Sequence, residues 1–156
     1  MDDNFIRLYN KYFLDVYRLS YSYLLNSQEA EDITQNTFIK LYHHSEILNQ
    51  NDQDILKWLF RVAINNSKNN LFSIWYKKRV QVDDLDNNYN YNLKSNNLRL
   101  SLIELPSKYR IPIYLYYYVG YSIKEIALIT KVNESTIKSR LLRARKILRI
   151  EMEVDI

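Results

Sequence analysis

The run SIKEIALITKVNESTIKSRLLRARKILRI, residues 122–150, reads as two short helices joined by a tight turn. Ser122 suits the N-cap of a helix over Ile123–Thr130, a turn follows at Lys131–Glu134, and a last helix runs from Ser135 to Ile150. Ala127 is small where the two helices must cross closely, and Val132 offers an apolar plug in the turn. Ile137, Leu141, Ala144 and Leu148 keep the three-four spacing of one buried face. That packing turns Lys138, Ser139, Arg140, Leu142, Arg143 and Lys146 outward. Two helices, a short turn and a basic second helix describe a helix-turn-helix. Ser135–Ile150 holds six Lys or Arg and no acid, whereas a merely solvated face usually mixes its charges. Such a helix fits the major groove of B-DNA, its N-terminal residues reaching base edges. Arg and Lys can pair with guanine, and Thr136 and Ser139 can reach phosphate or base. From this pattern alone a basic helix resting on an acidic partner remains open.

Working outward, the whole chain reads as all-α. One Gly and two Pro in 156 residues is far below average usage of about 7% and about 5%. Sheet-rich small proteins need many tight turns, which draw on both residues. A first helix spans about Phe5–Leu25, its apolar residues Phe5, Leu8, Tyr9, Tyr12, Phe13, Val16, Leu19 and Tyr23 on one face. Ser27 is the expected cap of a second, with Glu29, Glu31 and Asp32 at its positive end and Ala30, Ile33, Thr37, Phe38 and Leu41 inward. His43–Gln53 reads as a loop and Asp54–Arg79 as a third helix. The polar, Asn-rich run 80–97 reads as a linker between domains at 1–79 and 98–156. The second domain opens with a helix over Leu98–Leu105. Another follows from Ser107 to Val119, with Pro112 kinking it or standing in its first turn and Gly120 stopping it.

At this point the chain resembles a known family. The pattern Leu105-Pro106, Arg110, Gly120-Tyr121-Ser122 with Glu125-Ile126-Ala127, Thr136 with Lys138-Ser139-Arg140, and Arg143-Ala144-Arg145 is similar to the fourth conserved region of bacterial RNA polymerase sigma factors. The extracytoplasmic-function (ECF) type of the sigma-70 family is the one it resembles. AEDITQNTFIKLY, residues 30–42, resembles conserved region two, and WLFRVAINNSKNN, residues 58–70, resembles its promoter-melting helix. The resemblance covers nearly the whole chain and implies a small two-domain sigma factor. It implies contacts from Asp32, Gln35, Phe38 and Leu41 to core RNA polymerase, and seats Ser135, Thr136, Lys138, Ser139, Arg140, Arg143 and Lys146 at the −35 element of double-stranded promoter DNA. The loop from Asn49 through Gln50, Asn51 and Asp52 to Asp54, with Asn69, would read the melted −10 strand, and Lys77, Lys78 and Arg79 would hold its backbone. An anti-sigma factor is a partner common in the family that nothing in these residues reports.

Four positions depart from the family pattern. Lys131 stands where Gly is usual, so a left-handed backbone there would cost about 1 kcal/mol. Ser135 replaces a Gly, which suits a helix start. Asn69 stands where Asp is frequent and Phe72 where a basic residue is common, which unsettles the −10 contacts in particular. Trp58 is read as packing more than base stacking; Trp75, beside the basic cluster, leaves both open.

Other functions find little support. The only histidines, His43 and His44, are adjacent and so point about 100° apart on a helix. With no Cys there is neither a disulfide framework nor a thiolate metal site. A single Gly excludes a glycine-rich phosphate loop, and no Ser, His and Asp constellation can be argued. The expectation is a non-enzyme without metal or cofactor. The start MDDNFIRLYN is unlike a signal peptide, and no stretch nears the ~20 apolar residues of a membrane span, so a cytoplasmic protein without membrane insertion is expected. The alternative is a helix-turn-helix regulator that binds its operator without polymerase, which leaves residues 30–70 unexplained. A third reading is a helical scaffold for an acidic protein.

Overall fold

Side-chain caps set where the longer helices begin. In the computed structural model, which describes residues 2–78 and 102–154 with side chains placed over 2–71 and 102–148, the chain divides into two units, Met1–Leu71 and Phe72–Ile156. Among the described residues every regular element is helical. The expected linker, Val80–Asn97, lies outside the described residues, as do Arg79 and the start of the Leu98–Leu105 helix.

In the first unit, the Asp2 carboxylate accepts the Asn4 N–H at 2.9 Å, so α1 (Asp3–Leu24) starts ahead of its apolar stripe. It ends on Leu25, left-handed at φ 55°, whose N–H donates to the Tyr21 carbonyl at 2.7 Å. The cap of α2 (Ser27–Tyr42) is Asn26 instead of the expected Ser27. Asn26 holds the extended backbone a cap needs and accepts the Glu29 N–H at 3.0 Å, while Ser27 is already helical. Residues 43–53 are less of a loop than their polarity implies. They contain one helical turn, α3 (Ser45–Leu48), anchored by buried Leu48, and the first residues of α4 (Asp52–Lys78). Asn51 caps α4 by accepting the Asp54 N–H at 2.9 Å, which moves its start two residues earlier than the apolar pattern suggests.

The first core is built from Leu8, Val16, Leu19, Phe38, Leu41, Ile55, Leu59 and Phe60, all essentially without exposure. Thr34 and Thr37 sit in it because their hydroxyls donate to the Ala30 and Ile33 carbonyls, both at 2.7 Å, so neither leaves an unmet polar group. An aromatic row flanks this core: Tyr9 lies 5.0 Å from Phe38 and 5.1 Å from Phe13, and Phe5 lies 5.2 Å from Tyr42, between ring centres.

In the second unit, residues 102–104 form one helical turn and α5 spans Ser107–Ile113. Buried Arg110 ties the two together, its Nη1 donating to the Ile103 carbonyl at 3.1 Å and to the Leu105 carbonyl. Pro112 lies inside α5, past its first turn, and has no N–H to give the preceding turn. From Tyr114 to Val119 the chain continues as a wider π-helix. Gly120 ends it at φ 92°, and the N–H groups of Gly120 and Tyr121 both reach the Leu115 carbonyl, at 3.0 and 2.9 Å.

Candidate nucleic-acid interface

The helix-turn-helix expected from residues 122–150 is present with its internal caps. Ser122 accepts the Glu125 N–H at 3.1 Å and Glu125 accepts the Ser122 N–H at 3.2 Å, a reciprocal box that starts α6 (Ile123–Thr130). Lys131 then turns left-handed at φ 58°, and its N–H donates to the Ala127 carbonyl. α7 runs from Glu134 to Val154, one residue before the expected Ser135 start. Its cap is Asn133, which accepts the Thr136 N–H at 2.9 Å and the Ser135 hydroxyl at 2.9 Å.

The inner face of α7 is the one its spacing indicates: Ile137, Leu141, Ala144 and Leu148 are buried against a core that includes Ile126 and Ile129 of α6. Val132 is half-buried in the turn. The outer face therefore carries Lys138, Ser139, Arg143 and Lys146 exposed, with Arg140 and Thr136 part-exposed. Among the described residues no acid pairs with these four cations. Ser135, Thr136, Ser139, Arg140 and Arg143 line one open groove of about 600 Å³, and Tyr109 of α5 closes its side. Tyr109 is the member that sequence reasoning missed, because no local pattern links it to a helix that begins 25 positions later. Ser135 and Ser139 spend their hydroxyl protons internally, Ser139 on the Ser135 carbonyl at 3.0 Å. Toward the groove they present acceptors, and the donors there are the Arg side chains. Arg145 faces elsewhere, its guanidinium 5.4 Å from the ring of Tyr117 and 5.6 Å from that of Tyr116, two rings set edge to face.

In the first unit the expected sites divide. Asp32 and Gln35 are exposed on α2, but Phe38 and Leu41 are 1% and 0% exposed in the core. Neither offers surface to a partner: both project to the side of α2 that packs on α1. The apolar residues that share the outward face with Asp32 and Gln35 are Ile39 and Tyr42, 56% and 47% exposed. Asn49, Gln50 and Asn69 are exposed. Asn51 is occupied with Asp54, through the cap and a side-chain bond from its Nδ2 at 2.8 Å. Asp52 is no loop residue; it opens α4 and is held by Arg7 and Lys11. Those two cations hold its carboxyl well below the usual carboxylate range. Lys77 and Lys78 end α4, their side chains outside the described set, like that of Trp75. Trp58 is half-buried with its ring 5.6 Å from that of His44, a packing position.

Comparison with known proteins joins the two units. Residues 8–75 match the model of sigma-70 region 2, and residues 95–148 match that of sigma-70 region 4. The chain belongs to the sigma-70 family of RNA polymerase sigma factors, in its small ECF type. RNA polymerase sigma factor SigV of Bacillus subtilis is 31% identical over 88% of this chain and 84% of its own length. ECF RNA polymerase sigma factor SigM of the same species is 32% identical over 89% of each. The fold also resembles that of sigma factor RpoE from Bartonella quintana, solved with the anti-sigma factor NepR (TM-score 0.69, 24% identity, 99% of this chain and 100% of that one). This sigma factor therefore acts in promoter-specific transcription initiation. An operator-binding regulator would account for region 4 and leave the match at 8–75 without a cause.

Proposed function

We propose that this sigma factor reads the −35 element through α7 and recruits core RNA polymerase through the outward face of α2. The observation that carries the first half is the row Lys138, Arg140, Arg143 and Lys146, exposed or part-exposed and unneutralised by acids among the described residues, on the second helix of a helix-turn-helix. Arg140 and Arg143, in the groove with Thr136, are placed to meet base edges, and Lys138 and Lys146 to meet phosphates. Ser135 and Ser139 accept hydrogen bonds from base amino groups or water. On α2, Asp32, Gln35, Ile39 and Tyr42 form the polymerase-facing stripe, while Phe38 and Leu41 hold it rigid from beneath.

The exposed Asn49 and Gln50 read an unstacked base of the melted −10 strand, and Asn69, Lys77, Lys78 and Arg79 follow its backbone. The domains divide as 1–79 and 98–156 around the linker 80–97. Phosphodiester chemistry belongs to the polymerase, and this chain acts by binding. It works in the cytoplasm, where its polymerase is; no helix among the described residues is long and apolar enough to cross a membrane. Because the Bartonella quintana relative was solved with an anti-sigma factor, a partner of that kind is proposed here also.

Two variants test the division of labour. Arg140→Ala should lose −35 duplex binding and keep core polymerase, while Ile39→Asp should do the reverse. Loss of both activities in either variant would refute it.

A further inference from the structure

We propose that Asn4, Arg7 and Lys11 of α1 are positioning residues for −10 base readout, acting through Asp52 and the Leu48 backbone on residues 49–51. The inference rests on the reading of that segment as the base-reading loop. Its two ends are tethered to one helix face. Upstream, Asn4 Nδ2 donates to the Leu48 carbonyl at 3.1 Å. Downstream, Arg7 holds the Asp52 carboxylate with a fork, Nη1 at 2.8 Å and Nη2 at 3.0 Å, and Lys11 Nζ adds a third contact at 2.8 Å. The Asn4 amide oxygen in turn accepts from Arg7 Nη2 at 2.8 Å and Nε at 3.2 Å, so both tethers form one network. Residues 4, 7 and 11 are spaced three and four apart, one stripe along α1.

An isolated surface ion pair holds little, but a bidentate arginine in a network holds geometry. Here the network fixes both flanks of a segment of three residues, leaving Asn49 and Gln50 exposed on a short, anchored span. Charge points the same way. A bare carboxylate beside a DNA strand would repel its phosphates, whereas Arg7 and Lys11 together neutralise the Asp52 carboxylate. Asp52 is therefore an anchor and not a reader of bases.

The test uses the full chain with core polymerase, transcribing a pool of templates that share one −35 element and are randomised across the −10 region. Sequencing the templates that yield transcripts measures base preference. Asp52→Asn and the double variant Arg7→Ala/Lys11→Ala should each lower the enrichment of preferred −10 bases about tenfold, the scale of one good base contact. Asp52→Glu, which keeps the carboxylate, should recover most of it. Should Asp52→Asn fail to fold, Arg7→Lys, which keeps the charge but not the fork, carries the same prediction. A uniform fall in transcription with preference intact would overturn the proposal, making the cluster a plain brace or a phosphate contact. So would unchanged preference in these variants where Asn49→Ala/Gln50→Ala abolishes it. If Asn49→Ala/Gln50→Ala also changes nothing, the loop's reading role falls, and this inference with it.

Discussion

At Lys131 the chain keeps a left-handed turn, φ 58°, with a side chain that disfavours it. The cost is about 1 kcal/mol, and glycine's looser unfolded state returns about half of that. Lys131→Gly should therefore raise stability by about 0.5 kcal/mol, measured as a higher urea midpoint with an unchanged slope. Asp52 makes a pH prediction. Its carboxyl is held below the ordinary range by Arg7 first and Lys11 second, so its contribution is complete above the unfolded value of about 3.9 and fades as pH falls toward the depressed one. The stability difference between the wild type and Asp52→Asn should be flat from neutral pH to about 4 and shrink only below. Shrinkage already at pH 6 would show that another group sets it. On α7, Lys146→Ala should weaken all duplexes alike and reduce the salt slope by about 0.9. Arg140→Ala should cost about 1–3 kcal/mol on the preferred −35 sequence alone.

Among the elements, legibility followed the length and regularity of the apolar pattern. The buried row Ile137, Leu141, Ala144 and Leu148 was readable because a 3.6-residue period leaves one solution for a helix lying on a core. Ser122 was readable as a cap because Glu125 completes its box. Asn26, Asn51 and Asn133 were not, since each has a rival cap within two residues (Ser27, Asp52 and Ser135), and backbone conformation chooses between them. Helical spacing placed Phe38 and Leu41 inward, where they are buried, while the motif gave them a polymerase contact; a motif does not say whether a residue touches a partner or supports one that does. Nothing short-range foretold the ion pairs from α1 to Asp52, which join residues 41 and 45 apart. Removing the box with Ser122→Ala should cost about 1 kcal/mol. Ile137→Ala should cost about 3 kcal/mol and leave α7 poorly seated. Both are read from denaturant unfolding of the full chain.

For the molecule as a whole, two units of different character share one chain: a bundle whose outward α2 face mixes carboxylate, amide and apolar groups, and a helix-turn-helix with a basic outer face. Each would suit a simpler protein by itself. Their order, region 2 then region 4, is what makes the chain a sigma factor, whose function requires both at once. The direct measurement is transcription in vitro from a pool of fragmented genomic DNA, with core polymerase in the presence and absence of this chain, followed by sequencing of the 5′ ends. Discrete starts that appear only with the chain and share spaced motifs near −35 and −10 are expected. No chain-dependent starts, together with tight duplex binding by the chain alone, would contradict this function.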